Sequence, residues 1–210
     1  MNILLVNSSP RKLQACTYQL AQLIIQQMSE KVDVEVVEVD TATLPHLDAD
    51  YAKALSTPDL MYDESSGSLS LSNQLIAQLN KADLIIIASP MHNFTLPSSL
   101  KCWVDHVVRA GRTFEITDTG KRGLLIDKPI YVLVSAGGRF SGKNAYQPDF
   151  FTPYLTEIMA TIGLKDIKFF TIEGTATNRE TVQEQIDLLQ KQLKDHLERT
   201  EISREMFVAT

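Results

Sequence analysis

The sequence contains little of what membrane, metal or disulfide-based proteins need. Cys16 and Cys102 are its two cysteines, too few for a disulfide framework or a cysteine metal cluster. The histidines other than His92 are widely separated and show no metal-ligand spacing, so we expect no metal site. No apolar run approaches the roughly 20 residues of a membrane span, and residues 1–6 lack the basic start of a signal peptide. These absences predict a cytoplasmic protein with no membrane span.

The sequence also lacks a concentration of positive charge. The sequence has 20 Lys and Arg residues and 26 Asp and Glu residues, which gives a formal net charge of −6. The basic residues are scattered, apart from short pairs such as Arg11-Lys12 and Lys121-Arg122. Because nucleic-acid binding requires a basic stripe on one face, we expect no nucleic-acid partner.

Apolar periodicity predicts strands that alternate with helices along a single domain, residues 1–210. Strand patterns occupy 3–6, 32–39, 84–88, 130–134 and 167–172. Helical patterns occupy 15–29, 72–81, 100–108, 152–162 and 182–197. This order predicts an α/β fold in which a parallel sheet has helices on both faces. Two insertions lie outside the scheme: 41–71, long for a connection, and 111–127, which is typical of a protruding hairpin or loop.

The loop after the first strand is rich in hydroxyl groups. Asn7-Ser8-Ser9-Pro10-Arg11 leads to a helix that starts near Ala15-Cys16-Thr17. Free backbone N–H groups at a helix start, joined by hydroxyls, favour an anion. The glycines of a dinucleotide fingerprint and the Gly-Lys-Ser/Thr of a P-loop are missing, so the loop suits one terminal phosphate. The alternative is an ordinary capped turn.

The loop after the third strand is bounded by two prolines. Pro90 is expected to stop ladder pairing, and Pro97 to start the next helix, so the residues between them are held stiff. Their backbone amides could face a planar ligand while Met91 or Phe94 packs against it. His92 is a candidate proton donor or hydrogen-bond partner, and the alternative is a solvated histidine.

The loop after the fourth strand is Ser135-Ala136-Gly137-Gly138. Two glycines permit positive φ and a close approach of the backbone to a ligand, although a tight turn would use them too. Since the carboxyl ends of parallel strands form the ligand-binding edge of such sheets, the three loops together predict one binding site.

One run of spaced residues carries a family resemblance. Pro90-Met91-His92-Asn93-Phe94 is followed by matches at Leu100-Lys101, Trp103, Asp105, Val107, Arg109-Ala110-Gly111 and Thr113-Phe114. In these residues, and over nearly its whole length, the chain resembles the FMN-dependent NADH-azoreductases, which belong with the flavodoxin-like quinone reductases. The resemblance implies a flavodoxin-like three-layer sandwich with strand order 2-1-3-4-5.

The resemblance also implies which residues hold FMN. Ser9, Ala15, Cys16 and Thr17 match the family's phosphate-binding residues. Pro90, Met91, His92, Asn93 and Phe94 match the loop that holds the isoalloxazine ring. Ser135, Ala136, Gly137 and Gly138 match the loop at the pyrimidine end of the flavin. The chain departs from the family at three of these positions, where Ala15 replaces a frequent Ser, His92 a common Tyr and Ala136 a frequent Arg.

The function implied by the resemblance is that of an FMN-dependent oxidoreductase. It would use NADH or NADPH to reduce quinones and aromatic azo compounds by two-electron, ping-pong hydride transfer. The flavin N5 carries the chemistry, so no catalytic side chain is expected beyond His92 as a candidate proton donor. The resemblance further implies a homodimer with the sites at its interface, to which 41–71 or 111–127 would contribute.

Two other functions fit the same fold. A flavodoxin-type electron carrier would share the cofactor without turnover, although such carriers are usually shorter and more acidic. A non-catalytic binding module on a flavodoxin-like scaffold is the second, because a fold does not determine a function.

Overall fold

The computed structural model describes residues 1–56 and 68–199. Its strands are β1 Asn2–Asn7, β2 Glu35–Asp40, β3 Leu84–Pro90, β4 Phe114–Thr117, β5 Gly120–Gly123, β6 Ile130–Ser135 and β7 Ile167–Ile172. Its α-helices are α1 Cys16–Ser29, α2 Ala49–Leu55, α3 Ser68–Lys81, α4 Ser98–Val107, α5 Thr152–Thr161 and α6 Arg179–Arg199. Short 3₁₀ turns add Lys12–Gln14 and Thr41–Thr43.

Five of the strands form one parallel sheet in the order β2-β1-β3-β6-β7. The two remaining strands, β4 and β5, pair with each other as an antiparallel hairpin. The predicted order 2-1-3-4-5 is therefore confirmed, since β6 and β7 are the fourth and fifth strands of the sheet. The insertion 111–127 contains the hairpin, as its pattern indicated.

Helices cover both faces of the sheet because its inner strands are apolar on both sides. On one face, residues such as Leu4, Ile85 and Val132 pack against α3, α4 and α5. On the other face, Leu5 and Ile86 are among the residues that pack against α1 and α6. This alternation along each strand produces the predicted three-layer sandwich.

The starts of β2 and α3 differ from the prediction. β2 begins at Glu35 rather than Val32, because the N–H groups of Lys31 and Val32 both donate to Met28 O and so complete the end of α1. α3 begins at Ser68, one turn before the predicted 72.

The expectation that Pro90 stops the ladder is wrong. β3 continues through Pro90, which pairs with Ser135 of β6, and Met91 N–H donates to Ser135 O at 2.7 Å. A parallel ladder towards one neighbour uses the N–H of alternate residues, so a proline between them removes no bond on the β6 side.

The insertion 41–71 is partly helical in the structure. The turn Thr41–Thr43 is followed by α2, whose Tyr51 is buried with its ring against His106 at an edge-on centroid distance of 5.9 Å. Residues 57–67 of the insertion lie outside the described residues.

Gly163 ends α5 as predicted and also lets another part of the chain approach the end of that helix. This part is the hairpin with the residues that follow it, 114–126, called the hairpin segment below. Its φ is +104°, the left-handed conformation that favours glycine at a helix end. A methyl group on Gly123 would lie 2.2 Å from Gly163 N, and Leu125 N–H donates to Ile162 O at 3.1 Å. The hairpin is therefore fixed to the turn after α5.

None of the helices in the described part of the chain combines the length and the apolarity that crossing a membrane requires.

Candidate functional site

A cavity of about 350 Å³ lies where β1, β3 and β6 end. Its size falls within the roughly 300–1,000 Å³ of small-molecule sites. The lining residues that the sequence predicted are Ser9, Ala15, Cys16, Pro90, Met91, His92, Ser135 and Gly137. Pro10, Arg11, Gln14, Thr175 and Val182 complete the lining. The three predicted loops thus meet at the edge of the sheet where the strand order reverses.

The start of α1 forms one corner of the cavity. Ala15 is the N-cap residue, with extended backbone, and offers no capping side chain. The first helical bond runs from Gln19 N–H to Ala15 O, so the preceding N–H groups have no intrahelical acceptor. Such groups carry the positive end of the helix dipole and favour an anion.

Thr17 marks this corner as incomplete. The residue is 1% exposed, and its hydroxyl has no hydrogen-bond partner among the described residues. A buried hydroxyl without a partner costs about 1–3 kcal/mol. A ligand oxygen at this corner would remove that cost. Arg11 also belongs to the cavity lining, and its side chain adds positive charge, so the corner fits a terminal phosphate.

Ser9 has a hydroxyl proton available for the same ligand. Its Oγ accepts a bond from Arg11 N–H at 3.3 Å, and its own N–H donates to Asn7 Oδ1 at 3.2 Å. The acceptor role leaves the O–H free to donate. Ser9 is therefore held in a fixed position in the cavity lining and has a hydroxyl proton that it can donate to a ligand.

The loop after β3 forms a tight turn at Asn93 and Phe94. His92 and Thr95 exchange two backbone hydrogen bonds of 3.0 Å, and both residues between them have positive φ, 48° and 69°. Two successive left-handed residues define a type I′ turn, which strongly prefers glycine at its second position. Phenylalanine there stores strain of a kind that persists mainly at functional sites.

Phe94 is held in this conformation from outside the turn. Its carbonyl accepts a 2.9 Å bond from Phe150 N–H, and its side chain is 44% exposed. Met91, in contrast, is buried and receives Gln147 Nε2 at 3.5 Å from its sulfur. The loop thus presents an apolar floor at Met91 and an exposed ring at Phe94.

The glycines after β6 act differently from the prediction. Neither Gly137 nor Gly138 has positive φ, so the expected left-handed conformation is wrong. Close approach is the reason at Gly138, where a methyl group would lie 2.1 Å from Gln147 Oε1. Ala136 donates its N–H to Ile172 O and accepts from Thr175 N–H, so its backbone joins β7 to this loop.

Cys16 is a packed thiol beside the cavity. Burial raises the pKa of Cys16, and hydrogen bonds from the Ser135 hydroxyl and from the N–H groups of Thr17 and Cys16 oppose that rise only in part. The group is therefore a neutral thiol near pH 7. It can pack against a ligand but offers no thiolate nucleophile.

Five of the predicted residues are absent from the cavity lining: Thr17, Asn93, Phe94, Ala136 and Gly138. Conversely, Arg11 and Gln14 lie in the predicted phosphate loop without having been singled out. Thr175 and Val182 follow β7, a strand end that carried no glycine or proline pair to draw attention to it. Among residues 1–56 and 68–199, no three His, Cys, Asp or Glu side chains are grouped to hold a metal.

Comparison with known proteins agrees with this architecture. A family model described as flavodoxin-like fold matches residues 1–197. An FMN-dependent NADH:quinone oxidoreductase of Pseudomonas fluorescens is 42% identical over 189 residues, which cover 89% of this chain and 90% of that protein. Another from Burkholderia lata is 42% identical over 178 residues, covering 83% of this chain and 86% of that protein.

Solved structures show the same fold. A Bacillus anthracis azoreductase superimposes with a TM-score of 0.77 at 24% identity, covering 93% of this chain and 99% of that one. An FMN-dependent NADH-azoreductase from the same species, in complex with FMN, gives a TM-score of 0.77 at 20% identity, again over 93% and 99% of the two chains.

Proposed function

This chain belongs to the flavodoxin-like fold family and, within it, to the FMN-dependent NADH:quinone oxidoreductases, and from this membership we propose that it binds FMN and reduces quinones with NADH. It is thus an oxidoreductase rather than a passive carrier. The reduction of aromatic azo compounds is part of the proposal, supported by the resemblance in Pro90–Phe94 and by the fold shared with azoreductases.

The observation that carries the proposal is the uncapped start of α1, which lies in the cavity wall beside Ser9 and Arg11, with the unpartnered hydroxyl of Thr17 in its first turn. A phosphate at that position would accept hydrogen bonds from Thr17, from Ser9 and from the free N–H groups of the first helical turn. Arg11 would balance part of its charge. This donor set suits a phosphate monoester such as the one at the end of FMN.

The rest of the cavity suits a planar ring. Met91 and Pro90 would support one side, and the segment Ser135–Gly137 would approach its polar edge. When bound, the flavin would supply hydride and electron transfer between the nicotinamide and the quinone. Every other task falls to the chain, which must hold the ring, exclude water at Met91 and leave one face open for the second substrate.

His92 is the residue best placed to handle a proton. Its backbone is locked by the paired bonds to Thr95, while its exposed side chain reaches the cavity lining. An imidazole there can donate to a product oxygen or nitrogen and be recharged from water. No other catalytic side chain belongs to the proposal.

We further propose a cytoplasmic homodimer in which 111–127 or 41–71 completes the site of the partner. The exposed aliphatic side chains of the hairpin segment support this, since Ile116 is 76% and Ile126 84% exposed. Sedimentation equilibrium tests it directly. A fully active species of 23.5 kDa would contradict the dimer.

An anaerobic absorption spectrum tests the central proposal. We expect the protein mixed with FMN to retain flavin bands after gel filtration, to bleach with NADH and to recover on addition of a quinone. Bound flavin that NADH does not bleach would indicate an electron carrier or a requirement for NADPH. Absence of bound flavin would contradict the proposal.

A further inference from the structure

A second cavity, of about 310 Å³, lies beside the candidate flavin cavity. The two share Pro10 and His92 in their linings, so a molecule that stacks next to His92 can extend from one into the other. The second cavity is lined by the segment after β2 and by the start of α4. Besides His92, the polar lining residues are Ser8, Thr41, His46, Ser98 and Ser99.

The start of α4 faces this cavity without a cap. Pro97 is the N-cap residue and makes no side-chain capping bond, and the first helical bond runs from Lys101 N–H to Pro97 O at 3.0 Å. Ser98 and Ser99 N–H find no acceptor among the described residues. Uncapped N–H groups at the positive end of a ten-residue helix favour an anion.

Thr41 provides an independent sign of a missing ligand. It lines the same cavity, is 1% exposed, and its hydroxyl has no partner among the described residues. The neighbouring carboxylate of Asp40 is already engaged, because Oδ1 accepts from Ala42 N–H at 3.0 Å and Oδ2 pairs with Lys12 at 3.4 Å. Lys12 thus balances part of the negative charge of Asp40 before any ligand enters.

We propose that this cavity is an anion subsite for the substrate that stacks beside His92. Thr41, Ser98 and Ser99 would hold a carboxylate, sulfonate or phosphate group, supplied either by an acidic aromatic acceptor or by the phosphates of the nicotinamide donor. The inference rests on the proposed function, since it places the substrate next to the flavin. It adds a preference for substrates that carry an anionic group.

Two substitutions test the subsite without weakening the fold. Thr41→Val removes a hydroxyl that has no partner in the protein. Ser98→Asp places a carboxylate at the first turn of α4, where it supports the helix dipole but repels a bound anion. Stability and anion binding therefore respond in opposite directions. Ser70→Asp, exposed in the first turn of α3, adds the same charge away from both cavities and is the matched control.

Binding is measured first, on the FMN-loaded protein. Benzoate and inorganic phosphate serve as probes, with saturation-transfer NMR for benzoate and calorimetry for phosphate. We expect binding by the wild type and by Ser70→Asp, and at least a roughly tenfold loss in Thr41→Val and Ser98→Asp, as for a hydrogen bond to a charged group. Equal binding by all four proteins would overturn the subsite.

Steady-state kinetics then identify the source of the anion. NADH is compared with the uncharged donor 1-benzyl-1,4-dihydronicotinamide, and a carboxylated azobenzene with its methyl ester. A KM increase limited to NADH assigns the subsite to the donor phosphates, and one limited to the carboxylated compound assigns it to the acceptor. KM values unaffected by either substitution for all substrates would overturn the proposal.

The uncharged pair separates this inference from the proposed function. If neither NADH nor 1-benzyl-1,4-dihydronicotinamide supports turnover of an uncharged quinone by the wild-type holoenzyme, the proposed function itself is wrong. If they turn over while charged and uncharged substrates respond alike to Ser98→Asp, the enzyme stands and the anion subsite is rejected.

Discussion

At the scale of single residues, the phosphate corner depends on hydroxyl groups whose capacity to donate is left unused by the protein. Thr17 is the clearest case, because its hydroxyl is buried and unpartnered while Ser135 and Cys16 satisfy each other nearby. A hydroxyl kept in this state lowers stability, and a bound ligand that accepts its proton would remove that cost.

Thr17→Val should therefore separate stability from cofactor binding. We expect the free energy of unfolding of the apoprotein to stay constant or rise, since a hydroxyl without a partner is lost. The Kd for FMN should rise roughly 10- to 100-fold, the effect of one hydrogen bond to a charged group. Fluorescence quenching of FMN and chemical denaturation measure the two quantities. Thr161→Val, at an exposed hydroxyl bonded to Glu157 O, is the control.

Ala15→Ser should act in the reverse direction. Ala15 already has the extended backbone of an N-cap, with φ −73° and ψ 134°, and lacks only the oxygen. A serine there should stabilise the apoprotein by about 0.5–2 kcal/mol through capping. It should also tighten FMN binding, because the hydroxyl can turn to a phosphate when one is present. Weaker FMN binding in a more stable protein would show that the phosphate lies elsewhere.

Phe94 is the residue at which strain and function can be separated. Phe94→Gly creates the Asn-Gly pair that type I′ turns prefer, which relieves strain of about 1–3 kcal/mol against a backbone entropy cost of about 0.5–1 kcal/mol. We expect the protein to gain about 1 kcal/mol while KM for the acceptor rises, because the exposed ring is lost. Phe94→Ala removes the ring but keeps the strain, so it should share only the kinetic effect.

At the scale of elements, α6 is attached to the sheet by a titratable contact. His196 Nε2 lies 3.2 Å from Tyr131 Oη and 3.4 Å from Lys168 Nζ, with its ring against Tyr131 and Phe170. Burial, followed by the charge of Lys168, lowers the pKa of His196 below 6.5, and Asp166 opposes the shift. The unfolded chain therefore binds the proton first as the pH falls.

The neutral His196 therefore contributes stability above about pH 6.5, and this contribution is lost as the pH falls below that value. We expect the Tm of the wild type to drop more between pH 7.5 and 5 than that of His196→Phe, which keeps a ring but cannot be protonated. Parallel Tm profiles for wild type and His196→Phe would contradict a role for this histidine in the pH dependence.

Some strands and helices could be predicted from the sequence, and others could not. β1, β3 and β6 were predictable because buried parallel strands are apolar on both faces, which leaves an unbroken run such as Leu84–Ala88. The start of β2 was not, since Lys31 and Val32 are held by Met28 at the end of α1 rather than by their own pattern. α2 was missed because a seven-residue helix gives little periodicity.

Some residues of the candidate site could likewise be predicted from the sequence, and others could not. Its three loops were predictable because proline, glycine and hydroxyl residues at strand ends leave a local signature. The turn at Asn93 and Phe94 was not, because a phenylalanine with positive φ depends on the distant bond from Phe150 N–H. Thr175 and Val182 reach the cavity only through the packing of β7 and α6. Tertiary contacts, not local sequence, place these residues.

At the scale of the whole molecule, the hairpin segment is fixed to the domain and exposes three large aliphatic side chains among polar ones. Gly123 contacts Gly163 closely, and Leu125 N–H bonds to Ile162 O, so the segment cannot fold back to bury its exposed side chains. Ile116, Leu124 and Ile126 thus stay exposed in the isolated chain. Several apolar side chains on one fixed segment are typical of an interaction surface.

The double substitution Ile116→Lys with Ile126→Lys should therefore break the proposed dimer without unfolding the chain. Both side chains are more than 70% exposed, at 76% and 84%, so their replacement should leave the Tm of a monomer nearly unchanged. We expect sedimentation equilibrium to move from twice the chain mass towards 23.5 kDa, with loss of quinone reduction at low protein concentration. Leu188→Lys, at a 58% exposed position on α6, is the control for added charge. If the double variant remains dimeric and active, the interface lies elsewhere, and the insertion 41–71 becomes the segment to test.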